Sequence, residues 1–112
     1  MKATSDTKPN IVETYIEFAT KRYVVNIDVI HNIDEWEYDR VSIPAGKWDY
    51  SGVVDALVQY KYPIDKMQAV INNYLLDPED AYAIDEFNKM QAWRKEAKEI
   101  AKEALLYELS GS

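Results

Sequence analysis

A chain of 112 residues supports one domain, able to bury roughly two-thirds of the surface its unfolded form exposes. Its composition, 47% apolar and 29% charged, is that of an ordered soluble protein. A formal charge of −7 speaks against nucleic acid as a partner, and zero cysteines exclude a disulfide framework or thiolate chemistry and fit a reducing cytoplasm.

Residues 1–10 are polar, lack the apolar stretch of a secretory signal, and read as a disordered leader. Residues 11–19 alternate Ile11, Glu13, Tyr15 and Glu17 against Val12, Thr14, Ile16 and Phe18, which predicts a first strand. Residues 22–31 repeat the pattern and predict a second, with the connection at Thr20-Lys21 or Lys21-Arg22. Residues 35–43 predict a third strand after a turn at Asn32-Ile33-Asp34, and Ile43-Pro44-Ala45-Gly46 closes the sheet. The expected sheet is a three-stranded antiparallel meander with one face needing a cover.

Two short helices and one long helix supply that cover, completing an α+β fold over residues 11–109 with 110–112 as a disordered tail. Asp49 and Ser51 are candidate caps for a helix carrying Val53, Leu57 and Tyr60. Pro63 ends it and begins a second, striped by Ile64, Met67, Ile71, Tyr74 and Leu75. Asp77-Pro78-Glu79-Asp80 then starts a helix of roughly 32 residues, about 48 Å long. A compact chain of this size has a radius of gyration of about 13 Å, so the helix is expected to overhang, its distal part projecting. No apolar run approaches the ~20 residues of a membrane span.

The long helix carries an apolar stripe whose far half is mostly alanine. Phe87 and Met90 are expected to anchor it to the sheet. Trp93, Ala97, Ile100, Ala101, Ala104 and Leu105 form the candidate docking seam, for self-association or for a protein partner. Packing of that seam on the chain's own helices is the alternative. A second candidate surface is aromatic: Trp36, Tyr38 and Trp48 are the members of the sheet-to-helix cluster expected to be exposed.

No pattern of catalytic, metal-binding or cofactor-binding residues stands out. His31 is the only histidine, the acids between Asp34 and Asp39 alternate as on a solvated strand face, and none of the three glycines lies in a phosphate-cradling loop. Cofactors and metals are therefore expected to be none. Two other classes stay open: a small carboxylate-based enzyme or ligand-binding domain, and an acidic inhibitor that mimics nucleic acid through Asp28, Asp34, Glu35, Glu37 and Asp39.

Lys61-Tyr62-Pro63-Ile64-Asp65-Lys66-Met67-Gln68-Ala69-Val70-Ile71-Asn72-Asn73-Tyr74-Leu75 and Glu86-Phe87-Asn88-Lys89-Met90-Gln91-Ala92-Trp93-Arg94-Lys95 are the distinctive runs of residues 48–104. This half of the chain resembles small uncharacterised proteins encoded by phages and prophages of gut Bacteroides-like bacteria. The resemblance implies a bacterial cytoplasmic or virion-associated setting and a structural, assembly or host-interaction role. No functional residue carries over from it. The function expected is non-enzymatic protein–protein interaction, without nucleic acid or membrane.

Overall fold

The structure, a computed structural model, describes residues 1–110. The chain runs β1 (Lys2–Ser5), β2 (Val12–Glu17), β3 (Thr20–His31), β4 (Trp36–Ile43), α1 (Tyr50–Lys61), α2 (Ile64–Leu76) and α3 (Ala81–Leu109). The fold is α+β, as the sequence pattern predicts, but the sheet has four strands in the order β1-β4-β3-β2, all antiparallel. The added strand comes from the expected leader. Lys2–Ser5 pairs with residues 36–39 of β4, so a polar segment with no apolar alternation is held by backbone hydrogen bonds, with Lys2 also paired to Asp39. With β2, β3 and β4 joined by hairpins and β1 returning beside β4, the order is that of a Greek key. The expected tail at 110–112 lies outside the described residues for its last two positions, and Ser110 caps α3.

The β2–β3 turn falls at Phe18-Ala19, ahead of either predicted position. Both residues take positive φ, 50° and 62°, the mirror-image turn that suits a twisted hairpin. The chain reaches it without the glycine or asparagine that would mark the site. β3 carries a bulge between Ile27 and Ile30, where Asp28 and Val29 oppose the single residue Tyr38. Asp28 absorbs the bend at φ 52° and points its carboxylate at Lys61, 2.9 Å away.

One sheet face and two helices build the core. The cross-strand rows Val12–Val25–Val41 and Tyr23–Ile43 face the helices, with Ile27 beside them. Val53 and Leu57 of α1 meet them with no exposed surface, and Ala97, Ala101 and Ala104 of α3 are equally enclosed. Each full-sized aliphatic side chain here contributes about 1.5–3 kcal/mol. Trp93 locks the layers together: its Nε1–H donates to the Leu57 carbonyl at 3.0 Å, and Lys61 Nζ lies 4.0 Å from its ring.

The helix boundaries depart modestly from expectation. Asp49 is the α1 cap, its carboxylate accepting the Gly52 N–H at 2.7 Å; Gly52 is required because a Cβ would strike the Lys47 carbonyl oxygen. α3 begins at Ala81 with Asp80 as cap, three residues later than Asp77-Pro78 suggests. Asp77 instead accepts from the Glu79 N–H at 3.3 Å within the turn. At 29 residues α3 is still about 44 Å long, against a longest molecular dimension of 48 Å.

The overhang is real but lies at the other end. The distal half of α3 covers the sheet, while its proximal half packs on α2, with Tyr74 and Phe87 stacked at 4.3 Å. Phe87 thus ties α3 to α2 and not to the sheet, and Met90 is fully buried but apart from the core cluster that joins α3 to the sheet. The radius of gyration, 16.2 Å, exceeds the ~13 Å of a compact chain of this length because this helical hairpin extends from the sheet layer.

Candidate functional site

The predicted seam is not a surface. Trp93, Ala97, Ala101 and Ala104 are buried inside the chain's own core, and Ile100 is half-buried against it. Leu105 is half-buried on the same helix. The correction has a simple cause: small side chains let α3 lie close to the sheet and α1, which they serve as well as they would serve a second molecule.

The aromatic candidates divide. Tyr38 is buried on the sheet face away from the helices, which is a second correction. It lies there with Val24 and Asn26, on the face crossed by the connection between β1 and β2. Asn26 Nδ2 donates to the Asn10 carbonyl at 2.7 Å, and the Asn26 N–H donates to the Ile11 carbonyl at 2.9 Å. Trp36 is half-buried, stacked on His31 at 4.0 Å, with Lys8 Nζ 5.8 Å from its ring. Trp48 is half-buried and stacks on Tyr23 at 4.2 Å, only 3° from parallel. These rings fasten strands and loops together; none stands free as an anchor. His31, the lone histidine, is engaged in the same way.

The acids named for nucleic-acid mimicry are also partly spoken for. Asp39 accepts from the Tyr60 hydroxyl at 3.1 Å and lies 3.8 Å from Lys2, and Asp28 pairs with Lys61. Partial desolvation, reinforced by the hydrogen bond to Asp39 and the charges of Asp39 and Asp28, raises the Tyr60 pKa above 10.0. The array named for a nucleic-acid mimic is therefore neutralised at two of its five positions.

Concave space is open to solvent: a hollow of about 720 Å³ lies against the β3–β4 turn, lined by His31, Asn32, Ile33, Asp34 and Glu35. A cavity of about 350 Å³ lies at the start of α1, lined by Lys47, Asp49, Asp55 and Gln59 among others, but Asp49 is committed to the cap. Among the described residues no three His, Cys, Asp or Glu side chains come together as a metal site would require. No described helix is long and apolar enough to cross a membrane.

What the sequence reading missed is the exposed apolar surface at the far end of the helical hairpin. Leu75 and Leu76, closing α2, are 69% and 85% exposed, and Tyr82, opening α3, is 71% exposed. Between them Asp77, Glu79 and Asp80 are exposed too. The available signal was Leu76, which at about 100° per residue falls outside the stripe of Ile64, Met67, Ile71, Tyr74 and Leu75 on α2. The chain matches no protein family profile, no curated protein and no solved structure.

Proposed function

We propose that this protein is a non-enzymatic protein–protein interaction module whose docking element is the outer end of the α2–α3 hairpin. The observation that carries the reading is the exposure of Leu75 and Leu76 at the end of α2 and of Tyr82 at the start of α3, on either side of the turn that closes the helical hairpin. Large apolar side chains presented beside one another on a projecting element mark an interaction surface more often than scattered exposed residues do. The acids Asp77, Glu79 and Asp80 rim the patch and select a partner with a basic, apolar complement. On the resemblance of residues 48–104, the proposed role is that of a phage-derived structural or assembly accessory protein in a bacterial cytoplasm or virion.

Photo-crosslinking tests this. A photoreactive residue at Glu79 should give one discrete adduct in host cells, whereas the same residue at Ile33, exposed on the β3–β4 turn, should not. With the partner identified and purified, Leu75→Asp/Leu76→Asp should weaken binding at least tenfold without changing the unfolding transition. Binding indifferent to that double substitution would remove the hairpin end as the docking element.

A further inference from the structure

We propose that β2 is a self-association edge: two copies join by antiparallel β2–β2 pairing about a two-fold axis at Thr14, making one continuous eight-stranded sheet. The starting observation is that β2 ends the strand order with one side unpaired. Glu17 and Thr20 close a two-residue turn, so Glu13, Tyr15 and Glu17 direct their backbone groups toward β3. The Asn26 N–H donating to the Ile11 carbonyl continues the same alternation. Val12, Thr14 and Ile16 therefore aim their N–H and C=O groups outward, a row of three donors and three acceptors.

Edge strands normally carry a device against such pairing. β1, at the opposite edge, is only four residues long and includes Lys2. β2 is six residues, pairs with β3 in unbroken register, and has no lysine, proline or bulge. Its flank is apolar, with Ile16 70% and Phe18 95% exposed.

Side-chain charge points to a second copy as the occupant. Although the chain carries −7 overall, both acids of β2 are compensated within it, Glu13 by Arg40 at 3.4 Å and Glu17 by Arg22 at 3.7 Å. The strip is locally neutral, so its own duplicate is not repelled. Register then follows. With Thr14 on the axis, Val12 of each copy faces Ile16 of the other, Glu13 faces Tyr15, and all six outward groups of each strand are paired. A shift of one residue pair in either direction sets Glu13 opposite Glu17 or opposite the other Glu13, which like-charge repulsion disfavours. The strand is complementary to itself in hydrogen bonds, in apolar pairing and in charge. This inference stands independently of what the hairpin end binds.

Light scattering across a concentration series of the full chain should show the mass rise toward twice 13.0 kDa. Thr14 is exposed, so at a concentration where the parent is monomeric Thr14→Lys and Thr14→Glu should leave the unfolding transition in place, and each should weaken dimerisation at least tenfold by setting like charges on the axis. An equimolar mixture of the two should restore association to within threefold of the parent, a rescue that no loss of folding can produce. A Ser42→Lys control, exposed on β4, should dimerise as the parent does. A monomer at every concentration overturns the proposal, as does a dimer indifferent to Thr14→Lys or a mixture without rescue. Amide protection of Val12, Thr14 and Ile16 appearing only on addition of a foreign strand peptide would assign the edge to another protein instead.

Discussion

Ala101 offers the sharpest test of where α3 packs. It has no exposed surface, and neither have Ala97 and Ala104 on the same stripe. Leucine in place of Ala101 adds three carbons to a site closed by the sheet and α1, and overpacking of this kind costs about 1–3 kcal/mol. Helix propensity hardly enters, because alanine and leucine differ by only a few tenths of a kcal/mol there. Ala92 lies on the same helix in an exposed position, so Ala92→Leu carries the propensity change without the crowding. At an unfolding entropy of about 2.1 cal/mol/K per residue, a chain of this size loses about 4 °C of Tm per kcal/mol. Ala101→Leu should therefore lower Tm by about 4–12 °C. In urea, at one protein concentration, its midpoint should fall with the slope unchanged, while Ala92→Leu stays within about 0.5 kcal/mol of the parent. Equal stability of the two variants would refute the packed seam and return Ala97, Ala101 and Ala104 to the list of docking residues.

Two further outcomes are expected. Phe18-Ala19 occupies a turn whose two residues sit in left-handed backbone, which costs roughly 1–2 kcal/mol each for residues other than glycine. Phe18→Asn/Ala19→Gly should stabilise the chain by about 1 kcal/mol after the added flexibility of the unfolded glycine is counted, and thermal unfolding reads it; a fall in Tm would show that the aromatic ring holds the turn by contact. Tyr60 binds its proton more tightly in the folded chain than at its ordinary value of 10.0, so its stabilising contribution is complete below pH 10 and is lost as pH rises through the higher folded value. Stability measured from pH 9 to 11 should fall less steeply for Tyr60→Phe than for the parent, and parallel curves would count against the Asp39 hydrogen bond.

Local signals in this chain were legible wherever the chain itself enforces them. Alternation in residues 11–19, 22–31 and 35–43 located three strands, because a half-buried strand must place apolar residues on one face. Asp49 as a cap and Pro63 as a boundary were readable for the same reason. β1 was not, since a polar edge strand such as Lys2–Ser5 leaves no periodicity and exists only through its partner β4. The Phe18-Ala19 turn hid because strand pairing on both sides imposes a backbone that neither residue would choose. Asp80 displaced Asp77 as the cap of α3 because Asp77 closes the turn that brings α2 and α3 side by side.

Surface and core were harder to tell apart. Periodicity shows which residues share a helix face, and from it the stripe of Trp93, Ala97, Ala101 and Ala104 is plain. It does not show what meets that face, since the sheet, α1 and a second molecule all accept the same small side chains. That choice belongs to the tertiary structure. So does the end of α3 that overhangs: the helix length follows from its uninterrupted helix-forming residues, but its placement depends on α2 pairing with the proximal half and the sheet claiming the distal one. α+β class, helix count and the long terminal helix are properties of local pattern and propensity. The fourth strand, the open β2 edge and the apolar hairpin end arise only when distant segments compete for the same partners, and the winner is set by total buried area and backbone pairing.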